Sequence, residues 1–167
     1  GQWYWRVDAG EGCWAGLARP LLAERGLLLL ELPDFTANPF DLVIADHCTH
    51  FAPNGIARLV RAAGFSVVFC DTLVPKEITL LATKDPEPAD GQIPFGISGL
   101  QGAKKARAGL QWLERLRTRA RTLAEKGPLG LLGTSIAATW LHGELGGRVE
   151  FFVDEDPGRV GTTFMER

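Results

Sequence analysis

The residues best suited to chemistry lie in one short run, Asp46-His47-Cys48-Thr49-His50-Phe51. An imidazole takes or gives a proton near neutral pH, and an adjacent carboxylate orients it. Asp46, His47 and His50 are therefore the candidate catalytic residues. Two further readings of the run stand beside this one. In the plainer reading one imidazole packs at a strand end, satisfied by hydrogen bonds, and the other faces solvent. In the third, His47, Cys48 and His50 ligate a metal. Three close ligands without a distant fourth suit a closed tetrahedral site poorly, so no metal is assigned.

Two glycine-bearing turns could hold a cofactor. Asp8, Gly10 and Gly12, within Val7 to Gly16, are followed by Glu31 at about the spacing that a nucleotide-binding loop and its ribose-binding acid require. Against this, a second strand at Leu27 to Leu32 leaves no room for a third strand and its helices before the Asp46 cluster. Gly133-Thr134-Ser135-Ile136-Ala137-Ala138 with Asp154 repeats the pattern at the far end of the chain. The acid falls about twenty residues beyond the glycine, as in a dinucleotide site that takes NAD. Ser135 and Ala138 stand where that fingerprint has glycines, so a turn of the same shape without a cofactor is the plainer reading. The basic face of Lys104 to Arg121 could touch phosphates. Without an aromatic stacking platform it reads as a solvated helix face, and no nucleic-acid partner is assigned.

Elements that position these residues follow from the hydrophobic pattern. The chain has 167 residues, 46% hydrophobic and 23% charged, with a net charge of −2. That is an ordinary globular balance with no global field for nucleic acid or a membrane. The longest apolar runs are too short to span a bilayer. Cys13, Cys48 and Cys70 show no CxxC spacing, which suggests reduced thiols and a cytoplasmic location. The first residue is Gly rather than Met, so the chain reads as one entered midway.

Trp14 to Arg25 predicts a helix with Leu17, Leu21 and Leu22 on one side, marred by Pro20. Leu27 to Leu32, between Gly26 and Pro33, predicts a strand buried on both faces. Asp41 to Ala45 fits either a strand or the start of a helix. Asn54 is a candidate N-cap for a helix over Ile56 to Ala63, with Leu59 and Val60 inward. Val67 to Cys70 and Ile78 to Thr83 predict strands. The connection between them is too short for a parallel crossover, so they are antiparallel neighbours or antiparallel across a third strand. Asp85 to Gly99, rich in Pro, Gly and acids, is the candidate linker. Lys104 to Lys126 predicts a long helix with an apolar stripe of Leu110, Leu113, Leu116, Ala120 and Leu123. Leu129 to Leu132, Ser135 to Leu145 and Val149 to Val153 then predict a strand–helix–strand unit, the first half of a Rossmann-like fold.

Three stretches carry a resemblance: Glu31 to Phe35 (ELPDF), Asn38 to Pro53 (NPFDLVIADHCTHFAP) and Ala63 to Phe65 (AGF). They resemble the back half of class I S-adenosylmethionine-dependent methyltransferases, most closely the sugar C-methyltransferase group. In that group an E-H-x-x-Y-F segment follows the fifth strand. Asp46 and His47 match the E-H pair, Phe51 matches the Phe, and His50 stands where the group often has Tyr. Gly133 to Gly161 is similar to the extra C-terminal Rossmann-like domain of the same group, whose second strand ends in V-D-x-x-P-x-x-x-G. Both matches fall in the expected order and together cover most of the chain.

The resemblance implies an α/β fold. A partial Rossmann-like methyltransferase sheet occupies residues 1–86, a linker 87–102, and a linker helix with a second, partial Rossmann-like βαβ unit 103–167. Leu27 to Leu32 would be the fifth strand. Val67 to Cys70 and Ile78 to Thr83 would be the sixth and seventh, the seventh inserted antiparallel. His47 would be the general base, Asp46 its orienter and His50 a polar neighbour of the substrate, a nucleotide-linked keto-sugar or similar small metabolite. The group's early glycine loop and its cysteine-rich zinc module would lie upstream of Leu27. The chain is therefore expected to be part of a methyltransferase whose cofactor, S-adenosylmethionine, is not held by this chain alone. No membrane partner is expected, and oligomeric state is not set by these features.

Overall fold

The structure is a computed structural model that describes residues 14–85 and 99–166. It is mixed α/β, and its contacts divide it into two compact units, Gly1–Arg107 and Ala108–Arg167. The candidate linker falls mostly outside the described residues.

The first unit begins with helix α1, Trp14–Leu21. The helix stops four residues short of the predicted end, just after Pro20, which has no N–H to donate and blocks the preceding turn. Leu21 is 84% exposed, against the expectation that it faces inward, while Leu22 packs on the core. Arg19 donates from Nε to the Gly64 carbonyl at 3.1 Å. Gly64 itself sits at φ +85°, the left-handed turn that ends the second helix.

Strand β1 covers Leu27–Pro33, helix α2 Pro53–Ala62, β2 Ser66–Asp71 and β3 Glu77–Thr83. The sheet order is β1-β3-β2, and β3 runs antiparallel to both neighbours. Of the two expected arrangements, β2 and β3 therefore take the first, antiparallel neighbours. Asp41 to Ala45 is neither strand nor α-helix: Pro39–Val43 forms a 3₁₀ turn. The second helix starts at Pro53 with Ala52 at its cap, not at Asn54. Proline is favoured at a first helical position because the N–H it lacks has no partner there.

Among the described residues α2 covers one face of the sheet; on the other, Thr79 of the central strand is buried while Leu27 and Leu29 of β1 are exposed. Ile78, Leu80 and Ala82 of β3 are fully buried against Ile56, Ala57 and Val60 of α2, with Leu28, Leu30 and Leu32 of β1 packed beside them. Burying each large aliphatic side chain contributes roughly 1.5–3 kcal/mol. Leu27 and Leu29 are 59% and 60% exposed. Strand β1 is thus not buried on both faces as its four leucines suggest. It is an edge strand among the described residues, and only its even-numbered leucines meet the core.

The second unit takes in the latter part of helix α3, Gly99–Ala124, then β4 (Leu129–Leu132), α4 (Ile136–Leu145) and β5 (Val149–Val153). Strands β4 and β5 pair in parallel, so α4 is their crossover. Leu131, Ala138, Leu145, Val149 and Ala120 make its core. The apolar stripe expected along α3 is narrower than predicted: Leu113 and Ala120 are buried, whereas Leu110 and Leu123 are about half exposed. Glu144 of α4 pairs with Arg117 and Arg121 of α3. Among the described residues no helix is long and apolar enough to cross a membrane.

Candidate functional site

The chain leaves β1 through a tightly held turn. Asp34 is buried, and its Oδ1 accepts from the Thr36 backbone N–H at 2.8 Å and the Thr36 hydroxyl at 2.7 Å. The backbone N–H groups of Ala37 and Asn38 both donate to the Asp34 carbonyl. Asn38 and Pro39 then start the 3₁₀ turn that carries Asp41 inward, with the Asp41 N–H donating to Asn38. The segment returns at Phe51, which forms a parallel bridge with Asp34. The loop that bears the histidines is therefore pinned at both ends beside the carboxyl end of β1.

Within it, one carboxylate holds two rings. Asp41 is 2% exposed; its Oδ1 lies 2.5 Å from Nδ1 of His47 and its Oδ2 lies 2.8 Å from Nδ1 of His50. A carboxylate buried this deeply needs hydrogen-bond donors, and the imidazoles supply them. The rings themselves are 32% and 29% exposed, so each remains reachable from solvent.

The structure thus brings together His47 and His50, as the sequence suggested, but through Asp41 rather than Asp46. Asp46 is exposed and is not the carboxylate that holds either ring. Cys48, between the two histidines, is an exposed free thiol. Among the described residues no group of three or more His, Cys, Asp or Glu side chains is arranged to hold a metal ion. Asp8, Gly10 and Gly12 lie outside the described residues. Glu31 is exposed and sits within β1 opposite Thr79, two residues before the strand ends. A ribose-binding acid belongs at the carboxyl end of a strand, so Glu31 does not fit that role.

The second glycine turn is also formed. Gly133 takes φ +80° between β4 and α4, and its N–H donates to Val153 at 2.6 Å. Asp154 follows the end of β5. Its Oδ2 accepts from the Thr134 hydroxyl at 2.7 Å and from Arg159 at 3.3 Å, and its Oδ1 accepts from the Asp156 N–H at 3.0 Å. The Thr134 bond, then that of Asp156, holds the Asp154 carboxyl below the ordinary carboxylate range. A cavity of about 560 Å³ opens here, lined by Thr134, Asp154 and Arg159 with Phe151, Phe152 and Phe164. Phe152 and Phe164 meet edge to face, with ring centres 4.9 Å apart. Gly133 and Asp154 therefore do converge. Thr134 and Arg159 both engage Oδ2, whereas Oδ1 accepts from the Asp156 N–H.

Set beside known proteins, the chain matches no family model and no curated sequence.

Proposed function

We propose that this chain is the substrate-side half of an S-adenosylmethionine-dependent C-methyltransferase, in which His47 removes a proton from a carbon next to a ketone. The acceptor class is a nucleotide-linked keto-sugar or a similar small metabolite. The observation that carries the reading is the pair of solvent-reachable imidazoles fixed on one buried carboxylate, in the loop that leaves the carboxyl end of β1. The sheet supports it too: a last strand lying antiparallel between the two before it is the arrangement implied for the fifth, seventh and sixth strands of such an enzyme. On this reading β1, β2 and β3 belong to a partial Rossmann-like sheet, and β4, α4 and β5 to a second.

The chemistry assigned to these residues is a proton transfer. With Nδ1 donating to Asp41, the lone pair of His47 Nε2 accepts the proton, and the electrons of the C–H bond pass into the adjacent carbonyl to give an enolate. Asp41 stabilises the imidazolium so formed and keeps the ring from turning. The methyl donor supplies an electrophilic methyl group to that enolate carbon. On this reading no described residue is assigned to holding the donor.

Proton removal is measurable without the donor. The chain incubated with a nucleotide-linked 4-keto sugar in deuterated buffer should wash deuterium into the carbon beside the ketone. His47→Ala should slow this by roughly 10²-fold or more, the usual contribution of a positioned base. Wash-in no faster than in buffer, or unchanged in the variant, removes His47 from the reaction.

A second reading draws on the cavity beside Asp154: a dinucleotide-binding or assembly module without methyl transfer. A thermal-shift screen with NAD and NADP tests it: a raised melting temperature with either dinucleotide favours this second reading, because a ligand that binds only the folded state stabilises that state.

A further inference from the structure

We propose that Asp41 is a positioning residue that locks His47 and His50 in the same tautomer, with the proton on Nδ1, so that both rings present a bare Nε2. The catalytic consequence rests on the proposed role of His47, whereas the tautomers are inferred from the two contacts to Asp41. An ionised carboxylate has acceptors and no donors. Contacts of 2.5 Å and 2.8 Å to its two oxygens therefore call for two N–H groups, one from each ring. A neutral imidazole has a single N–H, and donating it to Asp41 leaves Nε2 as a lone pair. A ring with its proton on Nε2 would instead set its Nδ1 lone pair against a carboxylate lone pair. At a side chain only 2% exposed, no water relieves that repulsion.

The arrangement has a functional reason. A ring protonated on Nε2 cannot take a proton there, and nothing in an isolated histidine favours the useful tautomer strongly. One carboxylate that meets both rings removes this ambiguity for both at once. Asp46, although adjacent to His47 in sequence, is exposed and is not the carboxylate that meets either Nδ1.

The test is spectroscopic and uses the full chain. With histidine labelled in nitrogen-15, long-range proton–nitrogen correlations recorded about two units above the ordinary imidazole pKa report the tautomer of each neutral ring. Signals are assigned with His47→Ala and His50→Ala. Both rings should show a protonated Nδ1 and an unprotonated Nε2. In Asp41→Asn the amide keeps its shape, but its oxygen accepts from one ring while its NH₂ donates to the other. One ring should therefore switch to the Nε2–H form. Asp46→Asn should change neither. Either ring predominantly in the Nε2–H form in the unaltered chain, or no switch in a folded Asp41→Asn, overturns the proposal. Should Asp41→Asn fail to fold, the unaltered spectrum decides alone. Locked rings without deuterium wash-in would leave Asp41's role standing and remove proton abstraction; wash-in with an unlocked ring would do the converse.

Discussion

Gly130 lies directly beneath the ring of Phe151, and replacing it with alanine should expose how much that contact matters. The two are register partners across β4 and β5. A Cβ at position 130 would fall 2.2 Å from Cε2, 2.6 Å from Cζ and 2.8 Å from Cδ2 of the ring. Carbon atoms in good contact sit at about 3.5–4.0 Å, so the ring must leave. Phe151 is 48% exposed, which lets it swing into solvent instead of forcing the strands apart. Overpacking costs about 1–3 kcal/mol in closed sites, and a half-open ring puts this one at the lower end. Alanine also regains roughly 0.5–1 kcal/mol over glycine within a strand. The net expectation is a loss of no more than about 0.5 kcal/mol for Gly130→Ala in the normal background, because the two effects nearly cancel. In a Phe151→Ala background the clash is gone, and the same change should be neutral or stabilising by up to about 1 kcal/mol. Urea unfolding of the two single variants and the double variant then gives a coupling of about 1 kcal/mol, the clash alone, since the backbone gain is common to both backgrounds. Additivity to within about 0.5 kcal/mol would refute the placement of the ring over the glycine.

The covered face of the first sheet should announce itself in the same assay. Leu80→Ala, at a fully buried position, should cost about 2–5 kcal/mol, whereas Leu29→Ala, 60% exposed, should stay within about 0.5 kcal/mol. The Asp154 carboxyl titrates below its ordinary range chiefly through the Thr134 hydroxyl, so Thr134→Val should move that titration up, read by carbon-13 NMR. Because the folded value is depressed, the stability Asp154 contributes is complete above the ordinary carboxylate range. It is lost as pH falls through the lowered value. The gap between the normal chain and Asp154→Ala should therefore persist at neutral pH and close on strong acidification; a gap that widens in acid would contradict the sign. Of the two described thiols, burial pushes that of Cys70 up, with the neighbouring Asp71 adding to it, and its Sγ donates to the Pro53 carbonyl. Exposed Cys48 should react with a thiol reagent in the folded chain, and Cys70 only on unfolding, as followed by peptide mass spectrometry.

Strand positions were legible where glycine and proline punctuate an apolar run. Gly26 and Pro33 bracket β1, and Gly127-Pro128 with Gly133 bracket β4. The antiparallel relation of β2 and β3 followed from the length of their connection, but whether they pair directly or across a third strand did not. Depth of burial was not legible. Four successive leucines look alike whether a strand is covered on one face or two, and only pairing partners and α2 decide that Leu28 and Leu30 are inside while Leu27 and Leu29 are not. The start of α2 was misplaced because Asn54 is a good cap in isolation. Pro53 already fixes a helical φ one residue earlier, which moves the cap to Ala52.

The candidate site was half legible for a reason that contrasts two aspartates. Nearness in sequence favoured Asp46 as the partner of His47, but adjacent residues seldom face each other, and Asp46 ends in solvent. Asp34 and Asp41 are the buried carboxylates among the described residues. Asp34 finds donors locally, from Thr36 two residues on, and so closes a turn. Asp41 sits before Leu42, Val43 and Ile44, where no local hydroxyl is available. Once the 3₁₀ turn carries it inside, it must take donors from farther along, and His47 and His50, six and nine residues away, provide them. The signal was present in the sequence as a charge embedded in an apolar run. A charge in that position is either exposed at a strand edge or buried and paired, and a loop with two imidazoles downstream favours the second. The requirement to satisfy a buried carboxylate thus does two things at once: it folds the loop back on itself, and it fixes the orientation of the groups that face solvent.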